Sequence, residues 1–203
     1  DINGQGISQK GFSIQDLENF KQKLNNKNIN SELYYLNTHI EHEVEPASLL
    51  IIRNGVEYFT SNKVKELFDE LTSFEWDKKY WDQRRQKVLN KHARYNICFG
   101  NDSQESDFEN KKGTIISYQD VPILNQWKNN LKTIFGEPAS NLELEGNYYF
   151  DLNKCGIGFH GDAERKKVIA CSVGGSRPIQ WQWYYQSQPV GNRIEFELHN
   201  GDM

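Results

Sequence analysis

The sequence predicts an α+β fold, with helices gathered before residue 137 and short antiparallel strands after it. Apolar residues recur at helical spacing in three segments of the earlier part. After Pro138, short runs of strand-forming residues follow one another closely, with turn residues and no helical pattern between them. Serial strands of this kind indicate an antiparallel sandwich or barrel, and 203 residues are enough for one domain with a hydrophobic core. We therefore expect a single globular unit.

The composition limits the classes of protein that fit this chain. Only 36% of the residues are hydrophobic and the mean hydropathy is -0.81, yet 13% aromatic residues argue against disorder. A net charge of -4 argues against a general polyanion binder, whose affinity rests on many Lys and Arg contacts with phosphate. The 3 cysteines form no C-x-x-C motif, which favours a reducing, intracellular compartment, cytoplasmic or nuclear. Since no apolar run is long enough to cross a bilayer, we expect no membrane partner.

Two helices are predicted in the first part of the chain. The first begins at Ser13, with Asp16 in the third helical position of a capping box, and ends near Asn25. The second begins with Ser61 as its N-cap and ends near Phe74. We expect both helices to lie against one face of a sheet, each through its own apolar stripe.

Two short strands are predicted between these helices. Residues 33–36 and 49–52 are apolar runs that are too short for helices and rich in strand formers. Asn54-Gly55 follows the second run and precedes Tyr58-Phe59, and Asn-Gly is the dipeptide typical of a tight hairpin turn. We therefore predict a hairpin at this point.

Residues 76–95 alternate aromatic and basic side chains. The cations are Lys78, Lys79, Arg84, Arg85, Lys87, Lys91 and Arg94, and the rings are Trp76, Tyr80, Trp81 and Tyr95. One interpretation is a solvated loop or helix whose rings anchor it to the core. The other is a nucleic-acid surface, because rings stack on unpaired bases and cations meet the backbone. The acidic loop at residues 101–110 argues against the second interpretation, and both stay open.

The remaining elements alternate less regularly. Strands are predicted at 95–100 and 114–118, followed by a helix that Asp120 caps and that ends before Gly136. Further strands are predicted at 142–145, 148–150, 157–159, 168–173, 179–184 and 194–198.

An imidazole and a carboxylate stand two residues apart behind the glycine-rich segment 155–159. His160 and Asp162 would point to the same face of an extended chain, so both could reach one point in space. A nitrogen and an oxygen donor suit a divalent ion, and one further His would complete the two-His, one-carboxylate face that Fe(II) oxygenases use. The pair is therefore the predicted site of chemistry.

The order of motifs around this pair resembles a known family. Asn147 and Tyr149 form N-x-Y, His160 and Asp162 form H-x-D, and residues 172–177 form S-x-G-x-x-R. A Gly-Asp turn follows at 201–202. Over roughly residues 94–203, this order resembles the AlkB-like branch of the Fe(II)/2-oxoglutarate dioxygenases. The resemblance implies a double-stranded β-helix, or jelly roll, with helices on one face, preceded by an extension over residues 1–93.

The resemblance also implies roles for individual residues. His160 and Asp162 would be the catalytic ligands of Fe(II), and Asn147 and Tyr149 would hydrogen-bond the co-substrate 2-oxoglutarate. The substrate side would include Arg94, Tyr95, Glu164 and Arg177. In the family, a third ligand, a His, and an Arg for 2-oxoglutarate follow the Gly-Asp turn, so we expect them, with the final strands, beyond Met203.

Two other places offer histidines near possible ligands. His199 lies just before the Gly-Asp turn, at a position that the family often fills with a residue that does not bind the metal. A second cluster comprises His39, Glu41, His42 and Glu43. We expect that cluster to be solvated in a charged loop.

The resemblance implies oxidative demethylation or hydroxylation, with a nucleic-acid base, in DNA or RNA, as the substrate. Two alternatives stay open. The acidic charge favours a hydroxylase of a protein side chain or a small molecule. The other alternative is a jelly-roll module that binds a partner without catalysis.

Overall fold

The structure is a computed structural model that describes residues 11–162 and 167–203. Its helices are α1 (Ile14–Asn25), α2 (Gly55–Thr60), α3 (Val64–Thr72), α4 (Pro122–Asn130) and α5 (Lys132–Phe135). Its strands are β1 (Ser31–Tyr35), β2 (Ser48–Ile52), β3 (Lys79–Asp82), β4 (Lys87–Asn90), β5 (Tyr95–Gly100), β6 (Ile115–Ser117), β7 (Leu144–Tyr148), β8 (Arg177–Tyr185) and β9 (Gln188–Leu198). Single 3-10 turns cover Leu36–His39, Phe108–Asn110 and Glu137–Ala139. This mixture confirms the predicted α+β class.

The chain divides into two compact units. The first combines the residues up to Asn62 with Phe159–Met203, and the second comprises Lys63–Gly158. The predicted boundary between residues 93 and 94 falls inside the second unit.

In the first unit, α1 packs on the antiparallel pair β1–β2. Ser13 caps α1 as predicted: its hydroxyl accepts from the Asp16 N–H, and the Asp16 carboxylate accepts from the Ser13 N–H. Phe20 and Leu24 on the apolar stripe are buried. The helix prediction and the two strand predictions are confirmed, because a reciprocal cap and a 3.6-residue stripe are local signals.

The predicted hairpin at Asn54-Gly55 is wrong. Asn54 has a left-handed φ of 53°, as that dipeptide favours, but it leads into α2 and not into a second strand. The place beside Ile52 is taken by Met203, which exchanges both backbone hydrogen bonds with it at 2.8 and 3.0 Å. A distant segment therefore occupies the position that a returning strand would need.

Ser61 ends α2 and does not cap the following helix. It has a left-handed φ of 59°, and its N–H donates to the Glu57 carbonyl. The predicted helix begins instead at Val64, after Lys63. The predicted N-cap is therefore wrong, while the helix is confirmed.

The end of the first unit contains a long hairpin, β8–β9, with a bulge between Trp181 and Trp183. The Trp183 indole N–H donates to the Leu36 carbonyl at 3.0 Å. Both predicted strands here are confirmed, but those at 157–159 and 168–173 are wrong, since neither segment forms a ladder. Ser172, for example, exchanges only isolated bonds with the turn before Met203.

The second unit is built on β5, which lies between parallel β6 and antiparallel β7. Residues 79–90 form the hairpin β3–β4, where a loop or helix was the first interpretation. The helix predicted from Asp120 is interrupted at Leu131, and its N-cap is Val121. Trp127, Leu131 and Ile134 are buried in the core of this unit.

The sheets of the described residues are small. Three are two-stranded pairs and one has three strands, and none of them closes into a barrel. The jelly roll therefore stays a prediction. Across residues 11–162 and 167–203, every helix falls short of the length and apolarity needed to span a bilayer.

Candidate functional site

His160 and Asp162 lie side by side in the first unit. His160 Nε2 is 3.7 Å from Asp162 Oδ1, and the two side chains are 48% and 35% exposed. The backbone here is irregular and not the strand edge that the sequence predicted. The structure nevertheless brings the two side chains within 4 Å of each other, and metal binding by the pair stays a prediction.

The donor set of this pair fits a divalent ion. An imidazole nitrogen and a carboxylate oxygen that bind one ion at about 2.1 Å, at right angles, lie roughly 3 Å apart. The observed 3.7 Å between His160 Nε2 and Asp162 Oδ1 therefore needs a closing movement below about 1 Å.

Two donors alone are an incomplete metal site. In the described ranges 11–162 and 167–203, no three His, Cys, Asp or Glu side chains converge as a metal site. This includes the cluster at residues 39–43, where Glu41, His42 and Glu43 are exposed as expected. The third ligand predicted beyond Met203 stays a prediction.

His199 takes part in the turn that ends the described chain. Its Nδ1 is 3.1 Å from Ser176 Oγ, and its backbone N–H donates to Asp202 Oδ2 at 2.9 Å. These contacts give His199 a structural role at the junction of β9 with the Gly-Asp turn.

In the second unit, the predicted residues Asn147 and Arg94 are in direct contact. Asn147 Oδ1 accepts from Arg94 Nε at 2.7 Å and from Asn96 Nδ2 at 2.6 Å. Asn147 and Asn96 are register partners on β7 and β5, which explains the second bond. Because its carbonyl oxygen already accepts two bonds, Asn147 offers a ligand its amide N–H donors. An exposed amide donor beside a guanidinium suits a carboxylate.

Tyr95, a predicted substrate residue, stacks on Phe150 with ring centroids 4.2 Å apart and planes 19° apart. The Tyr148 ring meets the Tyr95 ring edge-on, with ring centroids 6.4 Å apart. Tyr149 is half-buried one residue after β7. The rings on this edge of the second unit therefore form a cluster that limits the freedom of Tyr95.

The structure describes one of the other two predicted substrate residues. Arg177 is half-buried at the start of β8, opposite Leu198. Glu164 lies outside the described residues.

Sequence reasoning missed a cavity of about 250 Å³ in the second unit. Its lining comprises Asp77, Lys79, Tyr80, Trp81, Gln83, Lys91, Phe108, Lys111, Lys112 and Gly113. The basic and aromatic residues of 76–95 indicated four of these lining residues, Lys79, Tyr80, Trp81 and Lys91. Four others come from residues 108–113, which follow an acidic segment and gave no sign of a basic cavity.

The fold defines an α+β protein in which His160 and Asp162 lie side by side, and its sequence is similar to that of a viral protein. A protein of Acanthamoeba polyphaga mimivirus, Uncharacterized protein R156, is 43% identical over 201 residues. The match covers 97% of this chain and 77% of the viral protein. The chain therefore belongs to the same family as this mimivirus protein. No family model matches the chain, and no solved structure matches it significantly.

Proposed function

We propose that the protein is an AlkB-like, Fe(II)- and 2-oxoglutarate-dependent dioxygenase with a jelly-roll core that oxidises a nucleic-acid base. The observation that carries this proposal is the His160–Asp162 pair, with Nε2 and Oδ1 3.7 Å apart. The order of the N-x-Y, H-x-D, S-x-G-x-x-R and Gly-Asp motifs supports it.

His160 and Asp162 would hold Fe(II) through Nε2 and a carboxylate oxygen. With Fe(II) bound there, O2 would be the oxidant and 2-oxoglutarate the two-electron reductant: one oxygen atom would enter the succinate formed with loss of carbon dioxide, and the other would hydroxylate the substrate. The amide of Asn147 and the phenol of Tyr149 would donate hydrogen bonds to 2-oxoglutarate. Neither adds charge, so each can bind a carboxylate without an opposing ion.

The substrate side would use Arg94, Tyr95, Glu164 and Arg177. The target base would leave its stack to reach the site, and an N-methyl group, once hydroxylated, would be lost as formaldehyde. We place this activity in a reducing intracellular compartment, because the 3 cysteines are widely spaced and form no C-x-x-C motif.

Metal binding is the first test. Mn(II) together with 2-oxoglutarate should raise the melting temperature, since a ligand that binds only the native state stabilises it. His160→Ala and Asp162→Ala should each abolish that rise. His42→Ala, which removes an exposed histidine elsewhere in the same unit, should leave it unchanged. Equal stabilisation of wild type and His160→Ala would disprove the site.

Turnover is the second test. With Fe(II), 2-oxoglutarate and methylated oligonucleotides, the protein should release succinate and formaldehyde, and His160→Ala should release neither. The mimivirus relative, of which this chain covers 77%, provides a longer protein for the same assay. If succinate is released but no methylated oligonucleotide yields formaldehyde, the result would support a dioxygenase and contradict demethylation of nucleic acid.

One observation favours a different substrate. The net charge of -4 suits a hydroxylase of a protein side chain or a small molecule better than a binder of nucleic acid. Salt separates the two: affinity for an oligonucleotide should fall steeply as salt rises, whereas affinity for a small neutral substrate should barely change.

A further inference from the structure

The cavity in the second unit lies between the hairpin β3–β4 and the 3-10 turn Phe108–Asn110. At about 250 Å³ it is slightly smaller than the roughly 300–1,000 Å³ of pockets that enclose a whole drug-sized ligand. It therefore suits part of a ligand, such as a phosphate and the sugar attached to it.

The charge of the lining is strongly positive. The basic lining residues are Lys79, Lys91, Lys111 and Lys112. No ion pair joins any of these four ammonium groups to a carboxylate of the described residues. The one acid among the lining residues, Asp77, accepts from the Thr114 N–H at 2.9 Å and from its hydroxyl at 2.6 Å. Asp77 keeps its charge and favours the charged form of Lys91, so the lining sets one carboxylate against four ammonium groups.

The acidic loop offsets part of this charge: the Asn110 amide and N–H are the main causes that lower the pKa of Asp107, and the charge of Lys112 adds to them. Asp107 accepts hydrogen bonds from the side-chain amide of Asn110 at 2.7 Å and from its backbone N–H at 3.3 Å. Its backbone pairs with that of Lys112 at 2.9 and 3.0 Å. This turn engages the carboxylate locally while Lys111 and Lys112 line the cavity.

The Trp81 ring lies beside the lysines. Its indole Nε1 is buried and has no hydrogen-bond partner among the described residues. Lys111 Nζ lies 6.0 Å from the centre of the Trp81 ring, and burial lowers the pKa of Lys91 below its ordinary value. The lining therefore offers donors and positive charge, which are complementary to an anion with several acceptor oxygens.

We infer that this pocket binds the phosphate group of a nucleotide, whose base stacks on the ring of Tyr80. Phosphate is an acceptor-only anion that ammonium groups bind as point charges. Tyr80 lines the same cavity and is 39% exposed, so a ring face is accessible to a base. The inference does not depend on the metal site, which lies in the other unit.

The test uses the whole metal-free protein. Tryptophan fluorescence and calorimetry would measure the binding of inorganic phosphate, adenosine 5′-monophosphate and a short single-stranded oligonucleotide. Lys91→Gln and Lys112→Gln should each weaken binding by about tenfold, because each removes a charge-assisted hydrogen bond. Lys87→Gln is the matched control, since Lys87 is exposed on the same hairpin and does not line the cavity.

The ligands distinguish the two sources of the phosphate. If the mononucleotide binds and Lys91→Gln weakens that binding, the ligand is a free nucleotide. If only the oligonucleotide binds and Lys91→Gln weakens that binding, the ligand is a nucleic-acid strand. Tyr80→Leu should weaken the binding of the mononucleotide and of the oligonucleotide, and should leave the binding of inorganic phosphate unchanged.

Two results would overturn the inference: no binding of any phosphate ligand, or an equal loss in Lys87→Gln, which would indicate general surface charge. Circular dichroism would confirm that each variant folds. His160→Ala should bind the mononucleotide normally, so the phosphate pocket and the proposed dioxygenase activity are tested independently.

Discussion

The guanidinium of Arg53 donates to the carboxylate of Asp202, with Nη1 2.6 Å from Oδ2. Asp202 is only 2% exposed and also accepts from the backbone N–H groups of Asn54 and His199. The carboxylate of the Gly-Asp turn therefore joins the end of the described chain to the start of α2.

Removal of this carboxylate should destabilise the first unit. Asp202→Ala leaves the Arg53 guanidinium, 21% exposed, without one partner and two backbone N–H groups without an acceptor. Breaking a buried ion pair on one side costs about 3–5 kcal/mol, and we expect the lower end because Arg53 also binds Glu32. Urea denaturation followed by tryptophan fluorescence would measure the loss. Glu43→Ala, an exposed acid in the same unit, should change little; a loss below about 1 kcal/mol in Asp202→Ala would contradict the role.

Acid should weaken the same contact. Burial alone would raise the pKa of Asp202, but the His199 N–H, the Arg53 guanidinium and the Asn54 N–H together lower it below its ordinary value. Because the folded pKa is depressed, the stabilisation is present above the ordinary pKa and is lost as pH falls through the folded one. The unfolding free energy should therefore decline below about pH 4, less steeply in Asp202→Asn than in wild type. Equal slopes for the two proteins would show that other carboxylates carry the acid sensitivity.

Gly146 should tolerate no side chain. A Cβ there would lie 2.7 Å from Trp76 Cη2 and 3.3 Å from Phe99 Cε2, and both rings are buried. Gly146→Ala should cost about 1–3 kcal/mol through overpacking. Thermal unfolding would measure it, with Gly161→Ala as the control because a Cβ at Gly161 meets nothing within 4 Å. Similar melting temperatures for the two variants would refute the tight packing between β7 and Trp76.

Glu70 caps a helix that it does not belong to. Its two carboxylate oxygens accept from the N–H groups of Ile123 and Leu124, both at 2.9 Å, at the start of α4. Glu70→Ala should cost about 1.5–3 kcal/mol, since these bonds have an ionised acceptor. Glu66→Ala, one turn earlier on α3 and exposed, is the control in denaturant titrations. If both variants unfold at the same midpoint, the carboxylate contributes nothing to the helix start.

By itself, the sequence determined the elements whose signals are local. The capping box at Ser13 acts within one turn of helix and needs no partner elsewhere, and the apolar stripe marks the face of α1 that packs on β1–β2. Apolar, strand-forming runs indicated β1, β2, β5 and β6, although their hydrogen-bonded partners lie elsewhere in the chain. His160 and Asp162 lie side by side because they are two residues apart. A local pattern therefore predicts where an element lies, but not what it pairs with.

Only the tertiary structure decided where distant segments compete for the same hydrogen bonds. Asn54-Gly55 carries a hairpin signal, but Met203 pairs with Ile52 and Asp202 accepts from Asn54, so the chain turns into α2. The N–H groups at the start of α4 are satisfied by Glu70, more than 50 residues earlier. The lysine-lined cavity likewise combines two segments separated by the whole of β5. Each outcome depends on which partner reaches the backbone or the cavity, and that choice is made by packing across the whole unit, because a local pattern contains no information about a competitor far along the chain.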